Sequence, residues 1–274
     1  MMTIFSLAVL TTAVSQTKAP PDIAWQEIAP DGEEFFVTMP DAPQVSRGTR
    51  YFYLNRDVLV NFAVYTLVHD NTLFVIQSYE LPKPKELLND LFWNRKKLVK
   101  FGADLQSNGY KGKRFTQKGD SVFHSGSYFI AQRHLYIVDC ARRDSPDPDM
   151  DRFLNSFAIR TAGQRTLPLP LSQTSLDRVY SGKEVTRKVI VLSQLEPNFT
   201  PEARAAHITG SVTLRARFSS SGLISDVEVL AGLPAGITEQ AIQASKNIVF
   251  IPAERDGKPV SQNLEITYSF ILSP

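Results

Sequence analysis

The chain has 274 residues, of which 43% are hydrophobic and 21% charged, with a formal net charge of +2 and a single cysteine. That length accommodates two domains of roughly 100–200 residues each, and the composition excludes a disordered or fibrous chain. The small net charge excludes a protein that finds nucleic acid or anionic membranes through bulk charge, and one cysteine excludes an intramolecular disulfide.

Residues 2–14 of the opening MMTIFSLAVLTTAVSQTKAPPD are apolar or small and uncharged. The run is shorter than the roughly 20 residues of a spanning helix, and Ala13, Val14 and Ser15 supply small residues at which it could be cut. Residues 1–19 are therefore expected to be a signal peptide or short leader, although no Lys or Arg precedes the apolar run. A first domain is expected over 23–159. GEEFFVTMP is a short strand stopped by Pro40, and VLVNFAVYTLV and TLFVIQSYEL are β-rich runs joined by HDNT, a turn composition. PKELLNDLFWNRKKLVKFG changes to helical period, with Leu87, Leu88, Leu91, Phe92, Leu98 and Val99 on one face and Gly102 as its stop. SVFHSGSYFIAQRHLYIVDCA returns to strand, with Cys140 expected as a buried small residue. A short helix carrying Phe153, Leu154 and Phe157 inward closes the domain.

Residues 160–187 contain Pro168 and Pro170 and no sustained periodicity, and are expected to be a linker. The second domain, 188–274, begins with EPNFTPEARAAHITGSV. Thr200 suits an N-cap, Pro201 the first helical position and Gly210 the helix stop, with His207 at the helix end. In SVTLRARFS, Val212, Leu214, Ala216 and Phe218 alternate with polar residues; SSSG turns the chain, and ISDVEVLAG returns with Val227 and Val229 inward. ITEQAIQASKNI places Ile237, Ala241, Ala244 and Ile248 on one stripe. VFIPAERDGKPV reads as a short edge element around Pro252, and NLEITYSFIL alternates Leu264, Ile266, Tyr268 and Phe270 with Glu265, Thr267 and Ser269. The fold class is α+β, with two domains that each set an antiparallel sheet against helices.

Asp147, Asp149 and Asp151 imitate the start of a calcium loop, but Arg152 stands where a glycine is needed and Ala158 where a bidentate Glu is needed. A helix N-terminus explains them better. His69, His124, His134 and His207 lack metal-ligand spacing, HSGSYF is not a nucleophile elbow, and no phosphate loop is present. No catalytic, cofactor or metal residue is expected, and the chain reads as a non-enzyme. The competing reading is an enzyme using His124 or His134 in a pocket of the first domain.

Three segments in order, PNFTPEARAAHITGSV, SSSGLISDVEVLAGLP and IVFIPAERDGKPV, resemble the C-terminal domain of the TonB family of energy transducers over about 188–272. AWQEIAPDGEEFFVTMPDAP, NGYKGKRF and RHLYIVDCARRDSPDPDMDRFLNSFAI resemble small exported bacterial domains with a PsbP-like fold. The first resemblance implies a periplasmic binding module of a Gram-negative-type envelope, linked to transmembrane transport. Such a module takes an extended segment of an outer-membrane receptor or envelope protein at a sheet edge, with an inner-membrane motor complex as a further partner. The candidate partner-binding residues are Leu264, Glu265, Ile266, Thr267, Tyr268, Ser269 and Phe270. A homodimer covering that edge, or an envelope scaffold without energy transduction, are the alternatives.

Overall fold

The computed structural model describes residues 24–53, 57–81, 99–119, 121–160, 167, 178–194 and 196–272. The leader, residues 84–98 of the helix expected up to Gly102 and most of the linker lie outside the described residues. In the first domain β1 (Gln26–Ile28) and β2 (Phe35–Met39) precede β3 (Gln44–Tyr53), β4 (Asp57–His69) and β5 (Thr72–Glu80). Then come β6 (Val99–Ser107), β7 (Tyr110–Gly119), β8 (Val122–Ile130), β9 (His134–Arg143), α1 (Pro148–Ser156) and β10 (Ala158–Ile159). Seven of these strands form one antiparallel sheet in the order β3-β4-β5-β9-β8-β7-β6. Among the described residues this domain is largely sheet, with α1 as its one helix. Tight turns set the ladder: Asp70 and Asn71 at φ 46° and 61° join β4 to β5, a geometry that Asp and Asn tolerate.

Two of the expectations fail at β6. Val99 and Gly102 stand in a strand, not on a helix face and at its stop. Asn108 and Gly109, both at positive φ, make a two-residue turn that folds this segment back on β7, and a full ladder partner outweighs a helical period. The aspartates behave as a helix start: Asp147 caps α1 by accepting from the Asp149 N–H at 2.9 Å and pairs with Arg142 at 2.5 Å.

Every residue from Thr72 to Tyr79 is buried, which marks β5 as covered on both faces. One face packs Tyr65, Phe74, Ile76, Tyr136 and Val138 beneath Phe153 and Leu154 of α1 and Phe35 and Val37 of β2. The other packs Val64, Val75, Tyr79, Leu135 and Ile137 against Val249 and Leu192 of the second domain.

That domain contains β11 (Val179–Tyr180), β12 (Ile190–Ser193), α2 (Pro201–Ala205), β13 (Gly210–Phe218), β14 (Ile224–Ala231) and α3 (Ile237–Ser245). β15 (Val249–Ile251), β16 (Ala253–Arg255) and β17 (Lys258–Phe270) complete it. The sheet runs β11-β17-β13-β14, with β16 paired to the start of β17. Thr200 caps α2, accepting from the Ala203 N–H at 3.0 Å. The helix stops at Ala205, short of Gly210, because His207 takes a left-handed φ of 51° and Gly210 already opens β13.

The domains share buried polar contacts. Arg143 Nε lies 3.0 Å from Glu254 Oε1, with the two side chains 9% and 8% exposed, and Arg143 also donates to the Pro252 carbonyl at 3.1 Å. Arg50, 1% exposed, donates to the Glu196 carbonyl at 2.6 Å. Gln240 Oε1 accepts from the Tyr51 N–H at 3.0 Å, and Asn198 donates to the Tyr51 carbonyl at 2.8 Å. At Gly48 a Cβ would fall 2.1 Å from Gln243 Oε1 and 2.8 Å from Phe62 Cζ, so a larger residue there would require both side chains to shift.

Removing one partner of a buried ion pair strands the other charge. Glu254→Ala is expected to lose about 3 kcal/mol of stability in urea unfolding, and the joint Arg143→Met, Glu254→Leu change far less. A small loss for the single variant would show the pair to be solvated. Glu33 supplies a second prediction. It is 8% exposed and accepts from Ser78 Oγ at 2.7 Å and Tyr65 Oη at 3.0 Å. Burial raises its pKa, against the opposing hydrogen bonds of Ser78 and Tyr65 and the charges of His134 and Arg47. The stability held by its proton is complete below the ordinary carboxylate value of about 4.3 and is lost as pH rises through the higher folded value. Glu33→Gln is therefore expected to gain on the wild type between about pH 4 and about pH 7. Denaturation curves at both pH values measure this, and a stability difference, variant minus wild type, that falls with rising pH contradicts it.

Candidate partner-binding edge

β17 pairs with β13 through nine consecutive positions, from Gly210 opposite Phe270 to Phe218 opposite Gln262. Its alternation places Ile266, Tyr268 and Phe270 inward at 6%, 1% and 2% exposure. Leu264 is half-buried, and Glu265, Thr267 and Ser269 are exposed. The inward residues pack against Ala203, Ile237, Ala241 and Ala244; the small alanines let α2 and α3 lie close to the sheet. Phe199 meets Phe270 edge-on, with ring centroids 5.4 Å apart. The Tyr268 hydroxyl is buried with no hydrogen-bond partner among the described residues, and burial raises its pKa.

On the outer face, Arg215 bridges Glu228 at 3.1 Å and Glu265 at 3.3 Å, Arg217 meets Asp226 at 3.1 Å, and Thr213 lies 3.3 Å from Thr267. These solvated pairs contribute little net energy, but they make the face polar.

The second edge of β17 is divided. Lys258–Val260 pairs with β16, and Ser261 and Gln262 pair with β11. Beyond them, among the described residues, no strand pairs with the second edge of 263–270. The other sheet edges differ. β3 is capped by Gln240 and Asn198. β6 shifts register between Phe101 and Asp104. β14 shifts twice, between the pairs at Thr213 and Leu214 and again between those at Arg215 and Arg217. Bulges re-aim an edge and discourage pairing. The first shift in β14 leaves Val229 and Leu230 at 42% and 39% exposure, so Val229 does not point inward as expected. β17 carries the regular, unpaired edge.

The histidines are not brought together. His124 opposes Ala141 in the β8–β9 ladder, whereas His134 begins β9 opposite Glu80 of β5. His124 is buried with Nε2 2.5 Å from Asp139 Oδ1. His134 stacks on Tyr136 at 5.5 Å and lines a cavity of about 180 Å³ with Glu33, Arg47 and Ser78. Cys140 is buried, its thiol pKa raised by that burial, and donates to the Ser125 carbonyl at 3.3 Å. Sequence reasoning missed β11 and the Arg143–Glu254 pair. A two-residue strand has no period, and an ion pair across 111 residues has no local spacing to read.

Residues 196–272 match the family model of the Gram-negative bacterial TonB protein C-terminal. Among solved structures, the solution NMR structure of the Pseudomonas aeruginosa TonB CTD is similar at 25% identity, covering 32% of this chain and 89% of that chain, with a TM-score of 0.29. No curated protein matches. On the family match, the C-terminal domain of this chain is of the TonB C-terminal type.

Proposed function

We propose that the protein is a non-enzymatic binding module of the cell envelope. Its TonB-type domain takes up an extended protein segment by strand addition at Leu264–Phe270, in the service of transport across the envelope. One observation carries this reading: in a domain matching the TonB C-terminal family, the 263–270 run is regular and has one edge without a strand partner among the described residues. A guest strand would satisfy backbone N–H and C=O groups there, with exposed Glu265, Thr267 and Ser269 on one side of the junction. The periplasm is the compartment, residues 1–19 the export signal, and a segment of an outer-membrane receptor the guest. The PsbP-like resemblance of the first domain adds a fold and no activity.

The second reading, an envelope scaffold without energy transduction, is favoured by the buried packing of the first domain's sheet on the second domain. That packing holds the TonB-type domain against a folded neighbour. Among the described residues no helix is long and apolar enough to cross a membrane.

The test uses the full chain and synthetic peptides from the periplasm-facing plug segments of outer-membrane receptors. Thr267→Pro is expected to weaken capture at least tenfold, since proline alters the backbone; Thr267→Val, which keeps the N–H, is expected to bind as wild type. Circular dichroism establishes that the proline variant folds, and hydrogen exchange on the wild type is expected to show added protection within 263–270 when peptide is bound. Equal capture by both variants, or protection elsewhere, removes the edge from the mechanism.

A further inference from the structure

The edge assigned to capture is already used once, by the chain itself. β11 adds in parallel to β17, with Val179 opposite Ser261 and Tyr180 opposite Gln262, directly before the unpaired run. The chain then turns away. Glu184 accepts from the Ser181 N–H at 2.9 Å, from Ser181 Oγ at 2.8 Å and from Arg178 at 3.0 Å, closing a compact loop. The Tyr180 ring receives two guanidinium groups, Arg178 at 4.9 Å and Arg255 at 5.1 Å from its centroid. Further on, the Thr186 and Arg187 N–H groups donate to the Glu254 carbonyl at 2.8 and 3.0 Å. Arg187 also reaches Asp144 of the first domain.

Residues 178–184 are attached by surface interactions, whereas Thr186 and Arg187 are held by backbone hydrogen bonds to Glu254. No residue from Arg178 to Lys188 is buried, and Val179 and Tyr180 are only half-buried. The Arg178–Glu184 pair is 68% and 38% exposed. By contrast, β17 sends Ile266, Tyr268 and Phe270 into the core. Segments with few buried apolar contacts open at low free energy and independently of the core. Residues 178–184 can therefore lift while β17 and the anchor at Thr186 and Arg187 stay in place.

We propose that residues 178–184 form a releasable strap, anchored at Thr186 and Arg187. Docked, the strap occupies Ser261 and Gln262 and confines a guest strand to the run beginning at Asn263. Lifted, it adds those two positions to the edge. Because the strap is tied to Asp144 and to Glu254, the first domain has a direct hold on how much edge is open. The idea rests on the reading of Leu264–Phe270 as the capture edge.

The test compares the full wild-type chain with an Arg178→Ala, Tyr180→Ala variant, and uses Arg255→Ala as a second route to the same loosening. The probe is a fluorescein-labelled synthetic peptide with the sequence of residues 178–184, RVYSGKE. In the double variant, amide exchange in the segment holding Ser261 and Gln262 is expected to rise at least tenfold, with β13 unchanged. The peptide is expected to bind the double variant at least tenfold more tightly than the wild type, and Arg255→Ala to raise exchange at 261–262 in the same direction. Unchanged exchange at 261–262, faster exchange spreading through β13, or a peptide bound equally by both chains or by neither would overturn the proposal. Neither readout uses a receptor segment, so failure here is distinguishable from failure of the capture reading.

Discussion

A sheet that is apolar on both faces has to be covered twice, and the fully buried run of β5 imposes that requirement on this protein. Local chain meets half of it: α1 and the β1-β2-β10 ribbon close one face with aromatic side chains, among them Phe35 stacked near Phe157 at 5.3 Å. The other face has no cover within the first domain's described residues equal to Val75, Tyr79 and Ile137, and the second domain supplies it through Val249 and Leu192. Burial of this kind favours contact in proportion to apolar area. The two domains are therefore held by a shared core.

Buried polar groups make the contact specific. Arg143 and Glu254 are both nearly excluded from water, and separating the domains would expose or strand both charges. Tyr51 uses its backbone N–H and C=O on Gln240 and Asn198 in place of another strand. The same contact that covers the sheet face thus also closes the β3 edge, which would otherwise invite edge-to-edge pairing. β6 and β14 are bulged and β3 is engaged at Tyr51, whereas 263–270 of β17 is regular and, among the described residues, has no strand partner on one edge. The surface that is left available follows from how the other edges are blunted, as much as from anything in β17 itself.

Parts of this were legible beforehand. The alternation in NLEITYSFIL placed Leu264 to Phe270 on the correct faces, because a half-buried strand with one polar side must alternate. Thr200 and Pro201 announced α2, since cap chemistry is local. HDNT announced the β4–β5 turn for the same reason. The reading failed at Val99 and Gly102, where a helical pattern gave way to ladder pairing, although the Asn108-Gly109 pair was a hairpin signal in plain view. It failed again at Val229, because a bulge adds a residue without leaving a mark in the hydrophobic period.

Composition and order of residues alone determined that the chain folds, that the second domain is of α+β type, and that its last strand presents one polar and one apolar face. These are consequences of local propensity and periodicity, which act over a few residues. Only the tertiary structure decided that the second domain packs on the other face of the first domain's sheet, that β11 docks beside Ser261, and that, among the described residues, 263–270 has a regular edge without a strand partner. Those outcomes depend on which surfaces meet across more than a hundred residues of chain. Burial and hydrogen-bond satisfaction choose among such meetings only when the whole molecule is assembled.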